Sequence, residues 1–539
     1  MKHALRGCSR LGGVVTLLAL IVQFSGCTTS TDSDERKLTR GINGDPESLD
    51  PHKYTSTQAA EVLRDLGEGL FAYDSKGRLV SGVAKSWQLS SDGQRYVFQI
   101  DQNKYWSDGT RVTAHDFIAG FQRLVDPQTA SPSAMRFSAV EKAPQIIAGV
   151  EPPSELGVRA IDDSELEIWL SAPNPNFLSV LAHPSTFPVC TECQNLGWQF
   201  ASDEKGRNAW ISNGPYVLSR WDRTSLLELQ KNTHFPEHEK IHFDQVRYIV
   251  ADPSVEVDRF RAGELDITSN VDAAKFNLVR QNYADELHVS PTLGLYYYGF
   301  NLKKSPFAEQ LLIRRALSLA IDRDQIVKYV TGRGEVPAYS IVPDIVRNYE
   351  SSRMEGWNLP ATERVELARM LYEQAGYSLD SPMRVELRFN VLGGNRNIAV
   401  AVQAMWHEVL GVETTLIAED FRVLLSNIRS AEETQVFRLS WVGDNDDPET
   451  FLRLFESGNP NNLTGYSNEG VDQLFGEAQV TVDEKRRLEI FEKAEQIVVN
   501  DHAIIPLYFF VSKHLVRRNI VGWESNSLDV HPSKFLARE

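Results

Sequence analysis

Cysteine is nearly absent from this sequence: Cys8, Cys27, Cys190 and Cys193 are the only four in 539 residues. A disulfide framework of the sort that holds small secreted domains is thereby excluded, and the fold must rest on a hydrophobic core. Long apolar runs are as scarce. The one from Leu11 to Phe24 is too short for a permanent membrane helix and no later run is long enough, so the body is expected to be soluble. Excess positive charge is missing as well. With 56 Lys and Arg against 73 Asp and Glu, a net charge of −17 argues against nucleic acid as a partner. No G-x-S-x-G, no H-E-x-x-H and no Gly-Lys dipeptide occurs, so the local machinery of elbow hydrolases, zinc proteases and P-loops is lacking. Scattered carboxylates without a local signature leave a hydrolase as the rival from another class.

What is present begins with Lys2, Arg6 and Arg10, which precede the apolar run and its end at Phe24-Ser25-Gly26-Cys27. This is an export signal. Small residues just before a cysteine suit lipoprotein processing, with residues 1–26 removed and Cys27 carrying the lipid, although Phe24 stands where leucine is more usual. An ordinary signal peptide cut near the same place is the alternative. Residues 27–37 then read as a flexible tether. In an oxidising compartment the pair Cys190 and Cys193 reads as a local disulfide. A redox pair lacks the strand-to-helix context, and a metal site with His183 lacks a recognisable fourth ligand.

Strand-like runs recur at Tyr96–Ile100, Glu165–Leu170, Leu226–Gln230, Val246–Val250 and Gly294–Asn301. Helices alternate with them. The spacing of Val365, Ala368, Leu371 and Tyr372 predicts a helix over 362–375, stopped by Gly376; Ile398, Val402, Met405 and Val409 predict another before Gly411. A third, carrying Leu488, Phe491 and Val498, is expected to follow a Thr481–Glu484 capping box. The pattern is α/β, and a chain of this length calls for two or three domains.

Colinear blocks carry more than composition does. They include Glu47-Ser48-Leu49-Asp50-Pro51-His52-Lys53, Asp65-Leu66-Gly67-Glu68-Gly69-Leu70, Trp106-Ser107-Asp108-Gly109-Thr110, Asn213-Gly214-Pro215-Tyr216, Tyr296-Tyr297-Tyr298 and Ala503-Ile504-Ile505-Pro506-Leu507-Tyr508. In these blocks, from about Arg40 onward, the chain resembles the periplasmic oligopeptide-binding proteins, family five of the bacterial solute-binding proteins. The resemblance implies a two-lobed periplasmic binding protein fold, class II and of the three-domain oligopeptide-binding type, with the ligand cleft at a hinge of two crossing strands. Domain I is then 38–57, 211–293 and 511–539, domain II 58–210 and domain III 294–510.

The same resemblance implies capture of short peptides in extended form and their delivery to ABC permease subunits. The protein is expected to be a periplasmic or otherwise extracytoplasmic monomer, anchored to a membrane through Cys27, with no cofactor, metal or catalytic residue. Murein-peptide or dipeptide receptors of the same fold, or a peptide-pheromone sensor, are the alternatives. The segment Arg438 to Leu452 resembles the family's binding block most closely. It places the anchor for the peptide's α-ammonium on Asp444, main-chain contacts at Ser440 and Val442 beside Trp441, and an arginine for the C-terminal end at Arg438. Arg429 has the spacing of a second family arginine, Asn395 stands where a histidine often binds longer peptides, and Tyr297 lies in a triple tyrosine close to the cleft.

Overall fold

The computed structural model describes residues 35–192, 211–391, 394–431 and 434–539. From the N terminus these form β1 (Lys37–Ile42), α1 (Thr57–Leu66), β2 (Ala84–Leu89), β3 (Arg95–Ile100), α2 (Ala114–Val125), β4 (Val158–Asp162), β5 (Glu165–Trp169), β6 (Tyr216–Asp222), β7 (Leu226–Lys231) and β8 (Gln245–Val250). Then follow β9 (Leu287–Phe300), α3 (Leu311–Leu319), β10 (Val336–Pro337), α4 (Ala361–Gln374), β11 (Arg384–Asn390), α5 (Asn395–Leu410), β12 (Glu413–Glu419) and α6 (Phe421–Ser430). The last main elements are β13 (Val436–Val442), α7 (Glu469–Val480), α8 (Glu484–Asn500) and β14 (Ile504–Leu515). No described helix is long and apolar enough to cross a membrane.

Three main sheets divide the molecule. Strands β1-β8-β7-β6 form one, β2-β3-β5-β4 a second, and β10-β14-β9-β13-β11-β12 a mixed third. The first two build lobe 1 and the third builds lobe 2. Lobe 2 is a single excursion of the chain, entered through β9 and left through β14, so these two antiparallel strands carry all the covalent connection between the lobes. Their pairing runs from Leu287↔Leu515 to Pro291↔Val511, breaks, and resumes at Leu295↔Phe509. At the break, the Leu293 N–H donates to the Ser527 carbonyl of lobe 1 at 3.1 Å, and the Leu293 carbonyl accepts from the Gly443 N–H of lobe 2 at 2.7 Å.

Strand periodicity explains how one strand serves two cores. Leu295 and Tyr297 of β9 enter the core with Ile428, Phe475 and Phe491. Tyr296, Tyr298 and Phe300 enter the opposite core with Leu317, Leu371 and Trp406. A sheet covered on both faces by helices leaves no solvated side, which is why the triple tyrosine is buried throughout. The Trp106–Thr110 hairpin turn also forms as expected, with Trp106 buried beneath it and Gly109 at φ +90°.

Three expectations need correcting. α1, placed with residues 58–210, packs in the core of Leu38, Tyr216 and Tyr248 instead, so it joins the sheet of β1; the second core starts at Leu70. Hydrophobic spacing within α1 could not reveal which sheet would receive it. α8 is capped by Asp483, which accepts from the Arg486 N–H at 2.8 Å, while Thr481 closes α7. Asp needs no glutamate partner to satisfy the first turn. Finally, β9 begins at Leu287, well before Gly294.

Lobe 1 is completed from the far end of the chain. Arg40 Nη1 donates to the His531 carbonyl at 2.8 Å, Ser533 N–H to Asp65 Oδ1 at 2.9 Å, and Arg538 Nη2 to the Lys37 carbonyl at 3.0 Å.

Two glycines test this packing. A Cβ on Gly294 would lie 2.3 to 2.8 Å from atoms of Phe510, next to the break. Gly294→Val is expected to cost about 1–3 kcal/mol through overpacking. Gly476 sits inside α7 with nothing within 4 Å of a built Cβ. Gly476→Ala is expected to stabilise by about 0.5–1 kcal/mol, since glycine loses more chain entropy in a helix. Urea denaturation of both variants reads the two effects.

Candidate functional site

The site grows from β13. This strand pairs with β9 from Gly294↔Val442 to Phe300↔Val436, but with β11 only at Leu387↔Val436 and Arg388↔Phe437. From Arg438 to Val442 its second edge has no strand partner among the described residues. Alternate residues of such an edge turn N–H and C=O groups outward, a template for another extended chain.

Beyond Val442 the chain turns through three aspartates, and their partners separate them. Asp447 is buried and paired with buried Arg487, whose Nη1 donates to it at 3.1 Å; it also accepts from the Glu449 N–H at 2.9 Å. Asp446 accepts from the Arg347 N–H at 3.2 Å and from its Nη2 at 2.9 Å, while burial raises its carboxyl above the usual range. Both pairs lie within lobe 2. Asp444 is exposed, and the cation that reaches it comes from lobe 1: Arg136 Nη2 donates to Oδ1 at 3.1 Å. Thr450 Oγ1 accepts from the Asp444 N–H and from Trp441 Nε1, each at 3.4 Å.

Asp444 and Arg136, in contact with each other, both line a cavity of about 1100 Å³ between the lobes. Tyr54, Arg64 and His183 belong to its lobe-1 wall, Trp441 and Val442 to the other. Tyr54 Oη contacts His183 Nε2 at 3.1 Å, and the Nδ1 of the same ring contacts Ser185 Oγ at 2.7 Å. Burial, reinforced by Arg136 and Arg64, drives His183 well below its ordinary pKa, so the imidazole is neutral. Asn176 Nδ2 donates to Glu449 Oε2 at 2.6 Å, a further contact between the lobes.

Val442 and Gly443 also line a second cavity, of about 540 Å³, with Tyr296, Asn390, Asn395 and Arg438. Arg438 donates from Nη1 to Asn390 Oδ1 at 3.1 Å and from Nη2 to Ser440 Oγ at 3.2 Å, and lies 4.5 Å from the Tyr296 ring centroid. None of these partners is anionic, and its Nε is buried without a partner. A guanidinium so placed is equipped for a carboxylate. Asn395 is buried; it accepts from Tyr296 Oη at 3.1 Å and donates to Asn390 Oδ1 at 2.9 Å, which fixes the group that holds Arg438. Burial pushes the Tyr296 hydroxyl up to about 12, keeping it a neutral donor.

The structure thus brings Asp444, Arg438, Ser440, Trp441, Val442 and Asn395 together along one strand and its surroundings. Tyr297 is not with them, because strand alternation turns it into the core and presents Tyr296 to the cavity. Arg429 stands exposed in the last turn of α6 and lines neither cavity. Sequence reasoning missed Arg64 and Arg136. Arg64 immediately precedes the Asp65-Leu66 block, a usable signal; Arg136 lies in a short helical turn with none. Cys190 is disulfide-bonded, whereas Cys193 and Cys27 lie outside the described residues.

One group has the composition of a metal site: His514, Asp529 and His531, with ligand atoms within 4.8 Å of one another. Each histidine Nε2 lies 3.1 Å from Asp529 Oδ1, and His514 Nδ1 lies 3.0 Å from the Thr268 carbonyl. Burial opposes the charge on His514, but Asp529 outweighs it and raises the pKa, which favours the protonated ring at the end of β14.

Residues 78–462 match the family of bacterial extracellular solute-binding proteins, family 5 Middle. The chain is 34% identical over 501 residues to the periplasmic oligopeptide-binding protein OppA of Salmonella typhimurium, covering 91% of this chain and 90% of that one. It is similar to the unliganded open form of the periplasmic murein tripeptide-binding protein MppA, with a TM-score of 0.84, 32% identity and coverage of 94% and 98%. It is also similar to Haemophilus influenzae OppA in complex with RPPGFSPFR, with a TM-score of 0.71, 29% identity and coverage of 94% and 99%.

The sorting of the aspartates has a measurable consequence. Asp447→Ala takes the hydrogen-bonded carboxylate from buried Arg487, leaving it Glu449 Oε2 at 4.0 Å, and is expected to cost about 3 kcal/mol of stability. Asp444→Asn removes an exposed pair and should stay within about 0.5 kcal/mol of the parent. Chemical denaturation of the two variants reads the difference.

Proposed function

The chain belongs to family 5 of the bacterial extracellular solute-binding proteins, and we propose that it captures short peptides in extended form for a peptide ABC importer. It is a binding protein, not an enzyme. The observation that carries the reading is the unpartnered edge from Arg438 to Val442, which leads to the carboxylate of Asp444 inside the cavity between the lobes. A peptide added to that edge is held by groups all peptides share, and its side chains enter wet space. Its α-ammonium meets Asp444 and its carboxylate meets Arg438. Five residues lie between the two, a span of about 20 Å in extended chain, which bounds a ligand that uses both ends at about six residues.

Similarity to the murein tripeptide-binding protein favours a murein-peptide receptor as the second reading. Such ligands also carry amines and carboxylates; the amine would take Asp444, whereas three extended residues, about 10 Å, leave the carboxylates short of Arg438. The N-terminal pattern supports export and anchoring through Cys27, and the bonded state of Cys190 supports its pairing with Cys193.

A thermodynamic cycle tests the anchor. Asp444→Asn, or N-acetylation of a free-amine tripeptide, is expected to cost about 2–5 kcal/mol of binding, roughly 30-fold to several thousand-fold in Kd. The two losses should not add, because both delete one interaction. Calorimetric titration of both proteins with both ligands measures this, and an equal acetylation penalty in the two proteins would place the amine elsewhere. For the anchor to the membrane, Cys27→Ser should release the protein from the membrane fraction and abolish fatty-acid labelling.

A further inference from the structure

The lobe-1 wall opposite Asp444 carries more positive charge than the ion pair across the cavity uses. Arg64 projects from the last turn of α1 and lines the large cavity. Its Nε is buried with no hydrogen-bond partner, and no carboxylate pairs with it among the described residues. Arg136 lines the same wall, and the carboxylate it holds is Asp444 Oδ1. The two guanidinium groups are near enough for both to act on Tyr54, Tyr73 and His183. His183 adds no charge, since it is neutral, and Tyr54 is likewise neutral, its hydroxyl pushed up to about 12 by burial.

This arrangement creates a conflict when an ammonium arrives at Asp444. The carboxylate then serves two cations, and Arg136 lies against the newcomer with like charge. Asp446 and Asp447 offer no relief, being held by Arg347 and Arg487. A second carboxylate brought by the ligand resolves it, by sitting between Arg64 and Arg136 while the amine takes Asp444. Planar guanidinium groups favour such an oxyanion through paired N–H donors, and a partly buried setting strengthens the contact.

We infer that Arg64 and Arg136 form a carboxylate subsite on lobe 1, which selects peptides bearing an acidic side chain on their first or second residue. The inference rests on the peptide reading and names the ligand class within it. It differs from recognition of the C-terminal carboxylate, which Arg438 faces from the second cavity.

The test compares acidic peptides with their neutral amides, Asp-Ala-Ala with Asn-Ala-Ala and Ala-Glu-Ala with Ala-Gln-Ala, by calorimetry. In the parent protein at least one acidic member is expected to bind about 10-fold to 100-fold more tightly than its amide. Arg64→Gln and Arg136→Gln should each collapse that ratio toward one, and Arg64→Lys should restore part of it. Equal affinities within both pairs in the parent protein would overturn the subsite while leaving peptide capture intact, and this comparison needs no variant to fold. A preserved ratio in folded Arg64→Gln and Arg136→Gln proteins would also overturn it. Failure of all four peptides to bind would overturn the peptide reading and the subsite with it.

Discussion

Everything in the molecule depends on the antiparallel pairing of β9 with β14, because these strands are at once the covalent bridge between the lobes and the middle of the lobe-2 sheet. Their register slips by one residue between Tyr296 and Tyr297 and is lost between Pro291 and Leu295. The ladder there is replaced by single hydrogen bonds from Leu293 to Ser527 and from Gly443 to Leu293. Local stability of a strand pair falls where ladder bonds are missing, so bending concentrates at the break and the flanking sheets stay rigid. Gly443 directly precedes Asp444, so the turn that bears this carboxylate is tied to the same residue that marks the break.

Electrostatic sorting around that turn turns a run of acidic residues into one usable charge. A buried pair such as Arg487 with Asp447 gains little net stability once desolvation is counted, yet removal of either partner is costly, so the pair fixes geometry. Arg347 does the same for Asp446 at the edge of lobe 2. What remains is Asp444, exposed and held by a residue of the opposite lobe. Its contact with Arg136 is an exposed interaction across the lobes, whereas the other two pairs are internal to lobe 2.

Local chemistry in the sequence revealed much of this. Periodicity located α4 and α5, turn chemistry located the Trp106–Thr110 hairpin, and the block from Arg438 to Leu452 led to the strand edge and its terminal carboxylate. The rest depended on tertiary choice. Nothing in α1 specifies which of two sheets will bury its apolar stripe, and the run of three tyrosines does not by itself say which of them faces the cavity. Spacing along the chain alone singles out Arg429, and the last turn of α6 leaves it in solvent. Arg136 enters the site only because lobe 1 folds opposite β13, a relation between segments about 300 residues apart.

The completion of lobe 1 by residues 531–538 bears on the order of folding. β1 lies beside β8, yet its neighbourhood is closed only when His531, Ser533 and Arg538 reach Arg40, Asp65 and Lys37. Lobe 2, a continuous stretch, has no such requirement. During synthesis the residues that finish lobe 1 are made about 490 residues after Arg40, so a nascent chain cannot lock that lobe however long its earlier segments have been exposed. Such a topology makes lobe 1 wait for the whole of lobe 2 to be synthesised, so the lobe that begins first is the later one to be finished.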